Sequence, residues 1–481
     1  MIDFRPVLFV LGILVSMLGV AMLVPAAVDV LTGSSNWKAF VGSCALAIFL
    51  GGTLILANRG KISDLNVRQT FVMTTASWVV LAAVAALPLY FADLDLSYTD
   101  AFFEAMSGIT TTGSTVIAGL DTAPRGLLMW RALLQWLGGI GIIVMAIAIL
   151  PMLRVGGMQL FRTEASDSTE KALPRATQLA IFIGLVYLGL TVICVLALVV
   201  AGMSAFDAVA HAMTTIATGG FSTSDQSVGH FDNAAVDWII VMFMIIGSLP
   251  FVLYLEAVRR RPGLLVRDSQ VHTFLAILIV AIVAVAGWQW LDGVNPGSAI
   301  RYSAFNVISI ITGTGYSTAN YGLWGSFPAA AFLVFMFIGG CAGSTSCGIK
   351  VFRYQVLFQT ARLQVNRVWQ PHAVVVPSYN GRPIPDSVMD AVMTFVFVFA
   401  LIFGVMTAAL TLMGLDFLTA ISGAGAAIAN VGPGLGDVIG PTGTFAPLPD
   451  AAKWLLAAGM LLGRLELLTV LVLFTPAFWR G

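Results

Sequence analysis

Ten long apolar stretches dominate the chain, at about 7–32, 39–57, 71–92, 126–153, 177–201, 235–256, 271–291, 327–349, 389–413 and 452–478. Lipid offers a backbone no hydrogen-bond partners, so stretches of this length without alternating polarity predict membrane-spanning helices, not barrel strands. The expected fold class is therefore an all-α polytopic membrane protein whose first partner is the lipid bilayer. Composition agrees, since 58% of the 481 residues are hydrophobic and only 10% are charged, against about 25% charged in soluble domains. Lys plus Arg equals Asp plus Glu at 24 each, so no basic excess exists to attract nucleic acid. The four cysteines, Cys44, Cys194, Cys341 and Cys347, sit in or beside apolar runs and read as buried thiols without a disulfide framework. The first run is too long for a signal-peptide core and has no clear small-residue cleavage site, so it is expected to stay as a helix.

Basic residues set the orientation. Eighteen of the 24 fall in four loops and at the two ends: Arg59, Lys61, Arg68; Arg154, Arg162, Lys171, Arg175; Arg259, Arg260, Arg261, Arg267; Lys350, Arg353, Arg362, Arg367, Arg382; and Arg5 and Arg480. The positive-inside rule makes these loops and both termini cytoplasmic, which an even number of spans allows.

Four outward connections share one plan. Residues 100–116 (DAFFEAMSGITTTGSTV), 205–223 (AFDAVAHAMTTIATGGFST), 301–318 (RYSAFNVISIITGTGYST) and 416–436 (DFLTAISGAGAAIANVGPGLG) each run through small and apolar helix formers into a glycine-containing polar segment. Aligned on Gly113, Gly220, Gly315 and Gly432, they recur at intervals of 107, 95 and 117 residues. A chance match at one loop does not recur in register at four. The chain accordingly divides into two N-terminal transmembrane helices (1–70) and four span, pore-helix, span repeats at 71–176, 177–270, 271–388 and 389–481. Non-helical backbone at membrane depth is tolerated only inside protein or against water, so the four loops are expected to converge on one central pore. Glycine suits a loop whose carbonyls all face one way. Four such loops, helped by the hydroxyls of Thr110, Thr111, Thr112, Thr218, Thr312 and Thr314, can replace the hydration shell of a monovalent cation, with the C-terminal ends of the half-helices adding partial negative charge.

Thr-Gly-Tyr at 314–316, Thr-Gly-Gly-Phe-Ser at 218–222 and Asn-Val-Gly-Pro-Gly at 430–434 resemble the filter loops of the Trk/Ktr/HKT superfamily of potassium transporters. Residues 130–144 (WRALLQWLGGIGIIV) resemble the second span of that superfamily's first repeat, and 339–353 (GGCAGSTSCGIKVFR) its third-repeat gate segment. The two extra N-terminal spans point to its TrkH branch of potassium-uptake membrane subunits. The resemblance implies a potassium filter of Thr111, Thr112 and Gly113; Thr218, Gly219 and Gly220; Gly313, Thr314 and Gly315; and Asn430, Val431 and Gly432, coordinating mainly through backbone carbonyls. It also implies a homodimer in the bacterial inner membrane and a cytosolic TrkA-like regulatory ring that binds NAD or ATP. Among its alternatives are an ion-coupled secondary transporter, which usually shows two inverted halves, and the potassium-translocating subunit of a P-type ATPase. The loops keep one glycine in common and do not repeat the Thr-Val-Gly-Tyr-Gly of potassium channels.

Two features inside the spans are candidates for control of flow. Gly339, Gly340, Gly343, Ser344, Thr345, Ser346 and Gly348 cluster where a helix should run, and such a cluster breaks one; it reads as a flexible gate near 339–348, against close packing of small residues as the competing reading. Arg464 lies deep in the last run, where a charge is costly unless it faces protein or water; the resemblance implies a cation under the filter that slows permeation. Glu466, two residues away, points elsewhere on a helix and is a poor local partner. Arg131 and Glu104 read as structural and His211 as a packed histidine. No HExxH motif, P-loop or strand-following GxGxxG occurs, so neither an enzyme nor a nucleotide site is expected in this chain, and no cofactor beyond the transported potassium.

Overall fold

The computed structural model describes residues 3–60, 66–146, 157, 172–258, 263–370 and 376–480. Lys61, Arg154, Arg162, Lys171, Arg259, Arg260 and Arg261 lie outside the described residues, as do the side chains of Arg175 and Arg382 and the tail of the 126–153 stretch.

Seven helices among the described residues are long and apolar enough to cross a bilayer: Arg5–Thr32, Trp37–Ala57, Val67–Tyr90, Arg125–Val144, Gln178–Val200, Ser269–Leu291 and Asp386–Leu412. The first is jointed at Met22, three residues before Pro25, whose ring cannot pack against a continuing helix. Two bent pairs, Ala234–Gly247 with Phe251–Val258 at 90° and Asp450–Arg464 with Leu468–Phe474 at 106°, add two broken spans. In the third repeat a short helix, Ser326–Phe335, gives way to non-helical backbone before Val351–Trp369. Among the described residues the regular structure is helical, apart from a two-stranded hairpin, Ser378–Tyr379 with Arg382–Pro383.

The unbroken spans expected at 235–256 and 452–478 are thus corrected to interrupted ones. Pro250 lies in the first interruption and supplies no N–H to continue the ladder. The second turns on Glu466 and Leu467, both left-handed at φ 61° and 49°. At 327–349 the glycine and hydroxyl cluster does break the helix, as its composition predicts.

Four short helices lie at the centre: Tyr98–Ile109, Ala205–Ile216, Pro296–Ile311 and Phe417–Ala429. Each starts on a side-chain cap, Ser97 to the Asp100 N–H, Ser204 to Asp207, Asn295 to Gly297 and Asp416 to Thr419, at 2.9–3.1 Å. The Thr419 hydroxyl and N–H hold the Asp416 carboxyl below its usual range. From Ala101 to Thr112 every residue is buried, whereas the spans that open the repeats turn most of their surface outward.

A ring of four loops and the segment beneath it

Each central helix ends four residues or fewer before its glycine and passes into an extended loop. The backbone then follows one pattern four times. The residue two before the glycine and the glycine itself are left-handed: Thr111 and Gly113 at φ 53° and 90°, Thr218 and Gly220 at 49° and 79°, Gly313 and Gly315 at 75° and 83°, Asn430 and Gly432 at 52° and 99°. Alternation between left-handed and ordinary backbone turns successive carbonyls to one side, at a cost of about 1–2 kcal/mol for each residue that carries a Cβ.

The loops close on one another in chain order. A methyl group on Gly113 would lie 2.3 Å from the Gly219 carbonyl oxygen, on Gly220 1.8 Å from that of Thr314, on Gly315 2.1 Å from that of Val431, and on Gly432 2.8 Å from that of Thr112. Each glycine of one loop is therefore seated against the middle residue of the next, and the fourth returns to the first. All twelve residues expected to form the filter meet in this ring. Side chains lock it: the Ser114 hydroxyl donates to the Gly432 carbonyl at 2.7 Å, and the Asn430 amide donates to the Thr112 hydroxyl at 2.9 Å. Outside it opens a cavity of about 70 Å³ lined by all four ring glycines together with Arg131, Asp225 and Ser317. Arg131 and Glu104 form a buried ion pair at 2.8 Å, and Glu104 also accepts from the Thr115 hydroxyl and the Val116 N–H, which fits the structural role read from sequence. His211 is fully buried with both ring nitrogens engaged, by the Asp207 carbonyl and the Ser222 hydroxyl.

Beneath the ring, residues 336–350 cross as an irregular segment. Gly343 and Gly348 are left-handed. The Ser346 hydroxyl donates to the Thr312 carbonyl at 2.6 Å, and the Thr345 hydroxyl to the Gly247 carbonyl at the break in the second repeat at 2.9 Å. Gly339 and Gly340 have no room for a Cβ, since it would meet the Cys347 carbonyl and the Ser346 side chain. The cluster is closely packed at one end and irregular in its backbone throughout.

Arg464 ends the helix Asp450–Arg464 and is buried under the ring. Its guanidinium donates to the Thr345 carbonyl at 3.3 Å, to the Cys347 sulfur, and to the Gly138 carbonyl of the first repeat at 3.1 Å. The carboxylate of Glu466 is not its partner; it pairs with Arg353. Arg353 and Lys350, counted above as loop charges, are buried instead, with Lys350 donating to the Ser346 carbonyl. Sequence reasoning also missed a register mark: Ile109, Ile216, Ile311 and Ile428 each stand four residues before a ring glycine, and all four are buried.

The family model for TrkH, described as a cation transport protein, matches residues 36–480. The chain belongs to the TrkH family. It is a transport protein and not an enzyme. Among curated TrkH-family relatives, the Trk system potassium uptake protein TrkI of Halomonas elongata is 46% identical over 99% of this chain and 97% of its own length. The Trk system potassium uptake protein TrkH of Escherichia coli strain K12 is 39% identical over 99% of each. The crystal structure of the potassium transporter TrkH from Vibrio parahaemolyticus matches with a TM-score of 0.92 at 37% identity, covering all of both chains.

Proposed function

We propose that this chain carries potassium into the cell through a gated pore whose filter is the ring of four loops. The observation that supports it best is the ring itself: four left-handed loops interlocked in chain order, with the carbonyls of Gly219, Thr314, Val431 and Thr112 each against the ring glycine of the loop before. Such a ring offers fixed dipoles to a dehydrated monovalent cation and needs no carboxylate at the ion. Potassium is the ion named for the relatives. Four like repeats closing one ring favour a pore over a carrier built from two inverted halves.

The segment at Gly339, Gly340, Gly343, Ser344, Thr345, Ser346 and Gly348 lies across the exit, and Arg464 holds it shut by binding the Thr345 carbonyl. A guanidinium under the ring also repels an arriving cation. Opening requires this segment to leave Thr312 and Arg464. We take the membrane subunit to work as a homodimer in the inner membrane, both termini cytoplasmic, with a separate TrkA-like ring that binds NAD or ATP and pulls on the basic cytoplasmic face. The family resemblance supports this assembly.

The test is rubidium-86 uptake into liposomes containing the purified protein and trapped potassium, with sodium or lithium trapped in parallel. Uptake with potassium alone is the expected result, with the regulatory ring and nucleotide raising it. Equal uptake against trapped sodium would contradict a potassium filter.

A further inference from the structure

The four ring loops differ at their middle residue, which is Thr112, Gly219, Thr314 and Val431 in turn. Glycine at 219 is not there for backbone freedom, because its φ lies outside the left-handed region that Gly220 occupies. It is there for room. A Cβ on Gly219 would lie 2.4 Å from the amide carbon of Gln135, a fully buried side chain on the helix Arg125–Val144.

Gln135 grips the loop at two points. Its side-chain oxygen accepts from the Phe221 N–H at 3.0 Å, which fixes the orientation of the amide, so its NH₂ is what donates to the Gly219 carbonyl at 2.6 Å. One turn earlier on the same helix, Arg131 donates to the Ser222 carbonyl at 2.8 Å and lies 4.1 Å over the Phe221 ring. The first repeat's second span thus splints the second repeat's loop. Among the described residues no side chain donates to the carbonyl oxygens of Thr112, Thr314 or Val431. Loops one and three are braced internally, by Thr110 with Thr112 at 2.7 Å and Thr312 with Thr314 at 2.8 Å.

We propose that Gln135 is a specificity-determining positioning residue, which holds the Gly219 carbonyl back from the ion and keeps the ring from contracting onto sodium. The inference rests on the pore reading above. A smaller cation is accommodated only if ring carbonyls move inward, and a carbonyl held by a buried amide must break that hydrogen bond to do so. Arg131 and Gln135 differ in consequence: the first anchors the loop beyond the ring, and the second acts on an oxygen of the ring itself.

The experiment measures sodium-22 and rubidium-86 uptake in parallel for wild type, Gln135→Met, Gly219→Ala and the double variant, each in liposomes at equal protein density. Gln135→Met removes donor and acceptor at similar volume, while Gly219→Ala pushes the intact amide away from the other side; if either does not fold, the other carries the test. The expected result is a rise of about two- to tenfold in sodium relative to rubidium for each single variant, the span of one hydrogen bond's net worth, with no further rise in the double variant because both break the same bond. A ratio equal to wild type in a folded single variant, even with total flux reduced, would overturn the inference by reducing Gln135 to packing. Additive rises in the double variant would overturn it too. If wild type carries neither ion even with its regulatory ring and nucleotide, the pore reading itself fails, and the inference with it.

Discussion

The first and third repeats are built to one plan and treat their glycines in opposite ways. In the first, Gly138 and Gly139 sit inside an uninterrupted helix, Arg125–Val144, because a neighbour occupies the space a side chain would need: a Cβ on Gly138 would lie 1.9 Å from the Ile109 carbonyl, and one on Gly139 3.0 Å from Ala217. In the third, Gly343 and Gly348 are left-handed and the helix stops at Phe335. Glycine count alone does not separate these outcomes. What separates them is company: Gly138 and Gly139 are surrounded by Leu137, Ile140 and Ile142, whereas Gly343 and Gly348 are interleaved with Ser344, Thr345 and Ser346, whose hydroxyls bond backbone and stabilise an irregular chain. Arg464 touches both regions at once, donating to Gly138 in one and Thr345 in the other.

Substitutions can break or sharpen this contrast. The largest effect is expected where the two repeats are alike, in the ring: Gly113→Ser and Gly315→Ser each force a side chain onto a neighbouring carbonyl at a left-handed position and should lower rubidium uptake more than about tenfold in protein that still purifies as a folded species. A variant with wild-type flux and selectivity would remove its loop from the filter. Next, Gly138→Ala should destabilise by about 1–3 kcal/mol through overpacking against the Ile109 carbonyl, read as a lower unfolding temperature, whereas Gly343→Ala meets a left-handed backbone penalty of about 1–2 kcal/mol. An unchanged unfolding temperature in Gly138→Ala would remove the packing constraint from the first repeat's glycine, and one in Gly343→Ala would remove the backbone constraint from the third's. Arg464→Ala cuts the tie between the two repeats and should raise basal uptake without the regulatory ring by roughly tenfold, the worth of about one charged hydrogen bond; an unchanged basal rate would count against a barrier. Smallest, Ser346→Ala frees the Thr312 carbonyl and should raise basal uptake by about two- to threefold, and a fall instead would mean that this bond supports the conducting state.

Much of this architecture is legible in the chain because lipid makes the demand simple: apolar length predicts spans, and the fourfold glycine register predicts a shared axis. The position two before each glycine was harder to see. Only the third loop uses glycine there, while Thr111, Thr218 and Asn430 adopt the same left-handed backbone with a side chain, and of these Asn alone is a residue type known to tolerate it. The ring holds them through contacts between segments far apart in sequence, such as Asn430 to Thr112. The breaks at Pro250 and at Glu466–Leu467 were hidden by apolar runs that read as continuous. The charges near the irregular segment misled in the same way: Lys350 and Arg353 look like loop residues until Glu466, from another repeat, is brought against Arg353. Gln135 stood in a stretch matched to the superfamily, yet nothing local marks it; only the missing Cβ at Gly219 does.

The central claim is that the ring of Gly113, Gly220, Gly315 and Gly432 is where the permeating ion sheds its water. Crystals of the protein grown with rubidium in place of potassium, with anomalous scattering measured at the rubidium edge, test it most directly. The account predicts a peak on the axis of the ring, among the carbonyls of the four loops and outside the Arg464 guanidinium. Rubidium bound elsewhere in the protein with no peak on that axis would contradict it.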